Sequence, residues 1–146
     1  MKKSLWLVLL IAQSCTGGTA FTFFDSSNGI GEKTFEANDV DVVTENGIST
    51  VTVFREERDD NPEAPSYTIV VKIDENTDDL ISVKYTYDQN PTIEDNEGIA
   101  ECAGNNCGHA TVNGGRRTVK FEGTELTGLF EGDTSWSIKI KGQLSY

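Results

Sequence analysis

Histidine occurs once in the 146 residues, as His109. Any triad or general base built on imidazole must therefore use that residue. No Gly-x-Ser-x-Gly elbow accompanies it, and serine and aspartate are too abundant to single out partners for it. With 24 acidic residues, a carboxylate pair of the kind that cleaves glycosides is unremarkable wherever it falls. No catalytic motif emerges, and the chain reads as a non-enzyme. Cations are scarce as well, with 12 Lys and Arg against 24 Asp and Glu. Such a chain cannot gather phosphates by counterion release, which argues against a nucleic-acid partner, and anionic head groups repel it. No uncharged apolar run approaches the roughly 20 residues of a membrane-spanning helix. Beyond the N-terminus no segment carries a sustained apolar stripe of helical period.

What is present begins at the N-terminus. Lys2 and Lys3 precede the uncharged apolar run Leu5 to Ala12, which stops at Ser14-Cys15. A basic start followed by a short apolar core reads as an export signal. Two cleavage sites compete. Gly18 and Ala20 stand three and one positions before a cut by ordinary signal peptidase, which would start a soluble chain at Phe21. Alternatively, Ile11-Ala12-Gln13-Ser14-Cys15 resembles the lipobox of bacterial lipoprotein precursors, with Ala12 where leucine is usual. That resemblance covers about fifteen residues and carries no fold. It implies a diacylglyceryl group on the Cys15 thiol and cleavage just before it. With Thr16 rather than Asp next, it implies sorting to the outer membrane or cell surface. An ordinary cut would leave the chain in the periplasm or outside the cell.

Three cysteines is an odd count for an exported protein. Acylation of Cys15 leaves Cys102 and Cys107 as one disulfide pair, which suits an oxidising compartment; loss of Cys15 with the signal peptide solves the arithmetic equally well. The lipoprotein reading is favoured because Thr16-Gly17-Gly18-Thr19 looks like a flexible tether. The expected organisation is a signal peptide over 1–14 (1–20 for the ordinary cut), a tether over 15–20 and one domain over 21–146. Losing Lys2 and Lys3 leaves ten basic against 24 acidic residues, a charge of −14.

The body of the chain alternates with period two. Trp136, Ile138, Ile140, Leu144 and Tyr146 fall on one face of a C-terminal strand, with Ser135, Ser137, Lys139, Lys141 and Gln143 on the other. Ile69, Val71 and Ile73 follow the same rule, as do Ile81, Val83, Tyr85 and Tyr87. Asn46-Gly47 and Asn113-Gly114 accept the positive φ of type I′ hairpin turns. These patterns predict an all-β antiparallel sandwich of roughly eight or nine strands, Greek-key or jelly-roll in connectivity, with a closed barrel as the alternative.

Candidate sites lie in the connections. Cys102 and Cys107 bracket four residues and can close a pinched loop; with His109 they form an incomplete zinc set, since structural zinc takes four ligands. Up-and-down strands would gather Glu56, Glu57, Asp59, Asp60 and Glu63 with Glu94, Asp95 and Glu97 at one end. Asp59, Asp60 and Asp95 offer the oxygen ligands that calcium takes, or else a solvated acidic surface. At the other end Asp74-x-Asn76-x-Asp78 matches the first ligand positions of a calcium loop. Asp79 then stands where that loop wants Gly, and Tyr85 where it wants Glu; an Asx-rich turn is the alternative. Arg116 and Arg117 form the one local basic spot. The functional expectation is a lipid-anchored cell-envelope module that binds a protein or glycan, needs no cofactor and does no catalysis. The alternative is a calcium-dependent adhesion module, or a filament subunit that self-associates by donating the apolar strand Phe21 to Asp25.

Overall fold

The structure is a computed structural model that describes residues 19–25, 31–37, 39–56, 63–90, 92–93 and 96–146. The signal segment, Cys15, Asp59, Asp60 and Asp95 lie outside the described residues. Ten strands follow in order: β1 (Thr19–Asp25), β2 (Gly31–Ala37), β3 (Asp39–Glu45), β4 (Ile48–Glu56), β5 (Ser66–Asp74), β6 (Asp79–Asp88), β7 (Glu97–Ala103), β8 (Ala110–Asn113), β9 (Thr118–Phe130) and β10 (Thr134–Ser145). The all-β antiparallel character is the one the alternation predicts. In β10 the inward set is Trp136, Ile138, Ile140 and Leu144, each at most 3% exposed, and the intervening residues face water.

A sandwich would divide these strands between two sheets; here they share one, in the order β2-β1-β10-β9-β7-β6-β5-β4-β3, with β8 paired to β9. The reason is local. From β3 to β7 each strand pairs with its successor in the chain, so no connection crosses to a second layer. The terminal strands β2 and β3 are consecutive in the chain, and β2 approaches β4, so the sheet curls round its core as a half-barrel. It stops short of the closed barrel, since no β2–β3 ladder joins its ends among the described residues.

Bulges supply the bend. The β9–β10 ladder shifts register at Ile140/Lys141, where Gly123 is the extra residue and adopts φ +95°, a conformation that costs glycine little. The β5–β6 ladder shifts at Lys72/Ile73 and leaves Ile81 unpaired, which turns that residue partly out of the core.

The Asn46-Gly47 hairpin has positive φ at both residues, 52° and 79°, as a type I′ turn requires. Asn113-Gly114 behaves otherwise. Asn113 stays extended and its Oδ1 accepts the Arg116 N–H at 3.0 Å, capping a 3-10 turn over Gly114–Arg116. The left-handed position falls on Arg117, φ 50°. The hairpin between β8 and β9 forms, but with a four-residue connection, because the asparagine side chain caps the turn instead of letting its backbone bend.

The core holds an aromatic ladder. Tyr67 stacks on Tyr87 at 5.3 Å, Tyr87 lies 6.2 Å from Phe130, and Trp136 touches Tyr85 and Phe130 at 5.6 and 6.0 Å. Gly98 makes room for it: a Cβ there would stand 2.8 Å from Trp136 Cε3.

Candidate functional site

Strand direction sorts the connections into two ends. The turns 46–47 and 75–78, the 3-10 turn Gly114–Arg116 and Tyr146 share one end. The β4–β5, β6–β7 and β9–β10 connections share the other. Glu63 and Glu97 of the expected acidic end are exposed there.

The first end carries most of the residues singled out by sequence. Cys102 and Cys107 are bonded, with their Cα atoms 5.1 Å apart, so neither thiolate is free for zinc. The bond closes a loop around the 3-10 turn Gly104–Asn106 and contributes about 2 kcal/mol by loop closure. Beside it a cavity of about 650 Å³ is lined by Asp78, Asp79, Leu80, Cys107, His109 and Val112. His109 adopts φ 65°, and its carbonyl accepts the Glu122 N–H at 2.8 Å, which fixes the loop to β9. Its imidazole, Asp78 and Asp79 are all exposed.

The calcium-loop residues are placed but not gathered. Asp74 Oδ1 accepts the backbone N–H of Asn76 at 2.8 Å and its amide Nδ2 at 3.1 Å, an Asx turn. The Asn76 amide packs against Gly47, and the Asp78 carboxylate against Gly114. Asp74 and Asn76 thus face each other, while Asp78 turns to Gly114. Among the described residues, no three His, Cys, Asp or Glu stand together as metal ligands.

A polar latch at this end was not legible in the sequence. Buried Ser49 lies 2.7 Å from Thr44 Oγ1 and donates to Glu75 Oε1. The guanidinium of Arg117 is 3.8 Å from the same carboxylate and 4.9 Å above the Tyr146 ring. Arg117 Nε donates to the Tyr146 carbonyl at 3.0 Å, and Tyr146 N–H to the Arg117 carbonyl at 2.9 Å. The latch joins β3, β4 and the β5–β6 turn to the ends of β9 and β10, strands that are not neighbours in the sheet. Arg117 therefore closes the curl across its mouth rather than standing free for an anion. Arg116 is exposed, and its backbone N–H makes the capping bond of the turn.

The Tyr146 hydroxyl is buried and has no hydrogen-bond partner among the described residues. Burial pushes its phenol above the ordinary value of 10.0; the Glu75 carboxylate adds to this and Arg117 opposes it. The folded chain thus keeps the proton to higher pH than the unfolded chain. Above about pH 10 the unfolded state binds fewer protons, and stability falls as pH rises through the folded value. Tyr146→Phe removes that buried hydroxyl. It is expected to change stability at neutral pH by no more than about 0.5 kcal/mol. It should also flatten the alkaline decline, as read from urea midpoints on either side of pH 10.

Comparison with known protein families, curated proteins and solved structures finds no match to this chain.

Proposed function

We propose that the chain is an exported protein, anchored to the outer membrane or cell surface through acylated Cys15, whose domain acts as a non-enzymatic binding or structural module. The observation that carries this reading is where β1 starts. Thr19 and Ala20, read from sequence as tether, are strand: Thr19 pairs with Ala37 and Ala20 with both Glu36 and Gln143. A cut after Ala20 would strip these two residues from the sheet. A cut before Cys15 keeps β1 whole and leaves Thr16 to Gly18 as the tether. The bonded pair Cys102–Cys107 suits an oxidising compartment and leaves Cys15 as the odd cysteine.

The tether sets the orientation. From Cys15 to Thr19 the chain spans at most about 14 Å. Because Ala20 pairs near the C-terminal end of β10, the anchor enters at the end that carries Tyr146 and the disulfide loop. The β4–β5, β6–β7 and β9–β10 connections then point away from the lipid. Intact-mass measurement of the processed protein tests the anchor. A chain starting at diacylglyceryl-modified Cys15 is expected; a chain starting at an unmodified Phe21 would overturn it.

A further inference from the structure

The outer face of β7 and β9 carries an apolar pair flanked by acidic residues. Ile99 and Leu129 stand opposite each other in the β7–β9 ladder and both face outward, with Leu129 48% exposed. They lie in a groove of about 750 Å³ lined also by Lys84, Glu97, Glu101 and Glu131. The groove continues past Glu101 and Thr127 into the depression where β7 leaves β9.

Charge along the groove is lopsided. Glu101 stands opposite Lys84, and Glu125 opposite Lys139, so each has a cation across the ladder. Glu97 stands opposite Asp88 instead, and the Glu131 N–H donates to the Glu97 carbonyl at 2.9 Å, holding the two glutamates' backbones together. Both glutamates are exposed. The groove thus has an apolar pair in the middle and, at the end away from the tether, acidic residues with no cation opposite Glu97 in the ladder. Glu97 and Ile99 are two residues apart on β7, which puts charge and apolar surface about 7 Å apart; Glu131 follows β9 in the turn, where its backbone bond to Glu97 keeps it at the same end.

We propose that this groove docks an extended segment of a partner protein in which an apolar residue and an arginine or lysine stand two positions apart. An extended chain repeats its side chains on one face at the same spacing. Its apolar residue covers Ile99 and Leu129 while its cation meets Glu97 and Glu131. This names the partner chemistry of the binding module proposed above and rests on that reading.

The test is a titration of the processed, isotope-labelled protein in detergent with the peptide acetyl-Thr-Leu-Thr-Arg-Thr-Leu-Thr-amide, followed by amide chemical shifts. Shifts confined to residues 97–101 and 127–132 are expected. Glu97→Gln with Glu131→Gln should weaken binding about 5-fold, and Leu129→Ser by a similar factor. Absence of shifts overturns the proposal. So do shifts spread over the whole acidic surface, or an equal loss on Asp41→Asn with Glu45→Gln, which would mark general charge attraction. Equal binding of a peptide with serine for leucine overturns it too. Lost binding on a chain acylated at Cys15 counts against the groove alone; retained binding on a chain starting at Phe21 counts against the anchor alone.

Discussion

Replacing Trp136 with alanine is expected to lower the unfolding free energy by about 4 kcal/mol. Trp136 is 3% exposed and packs against Tyr85, Tyr87 and Phe130. Removal loses the transfer free energy of the indole and leaves a cavity. That cavity cannot easily collapse, because the neighbour beneath it is Gly98, which has no side chain to move in. For a domain whose whole stability is of order 5–15 kcal/mol, the loss is a large share. Trp6 and Trp136 are the two tryptophans, and a chain processed as proposed lacks Trp6. The fluorescence of the processed wild type therefore reports on this site alone, with a red shift expected on unfolding in urea. The alanine variant has no tryptophan and is followed by circular dichroism. A change below about 1 kcal/mol would mean that the aromatic ladder does not hold the core.

The second large effect is expected at Gly128. This residue stands opposite Ala100 in the β7–β9 ladder. A Cβ there would overlap the Ile99 carbonyl oxygen and lie 2.8 Å from the Ala100 Cα. Backbone cannot swing aside as a side chain can, so Gly128→Ala must push the two strands apart. That strains the short ladder joining Gly98–Glu101 to Thr127–Phe130. The expected cost is about 3 kcal/mol, at the upper end for overpacking by one methyl. Gly108→Ala is the matched control: nothing lies within 4 Å of its Cβ position, and its change should stay within about 0.5 kcal/mol. Urea midpoints of the two variants give the comparison. Equal midpoints would show that β7 and β9 do not approach as described.

The strands were legible in the sequence where one rule governs them. β10 buries Trp136, Ile138, Ile140 and Leu144, and Tyr146 just beyond it, as the alternation predicts, because a strand with one wet face needs nothing but period two. The Asn46-Gly47 turn was legible for the same local reason. The single curled sheet was not, since neighbour choice depends on bulges at Gly123 and Ile81 that no alternation count reveals. Asn113-Gly114 misled because asparagine has two uses in a turn, and here it caps Arg116.

The candidate sites divide in the same way. The Cys102–Cys107 bond follows from count and spacing. The calcium loop at Asp74, Asn76 and Asp78 resolves into an Asx turn and two glycine contacts, because those glycines come from distant turns. The latch joins Arg117 to Tyr146 across 29 positions and to Glu75. The groove joins Ile99 to Leu129 across a ladder between strands that are not consecutive in the chain. The strand Phe21 to Asp25, read as one that could be donated to a neighbour, lies within its own sheet between β10 and β2.

The central claim is that a short tether holds one end of the half-barrel at the lipid and presents the other outward. It is tested most directly by spin labels on the acylated protein in vesicles. With Cys15 acylated and Cys102 bonded to Cys107, a single new cysteine is the only free thiol. Arg116→Cys lies at the tether end and Asp133→Cys in the β9–β10 turn, roughly 40 Å away along β9. The account predicts strong relaxation by a nickel-chelating lipid at position 116 and almost none at 133; equal relaxation, or the reverse, would contradict it.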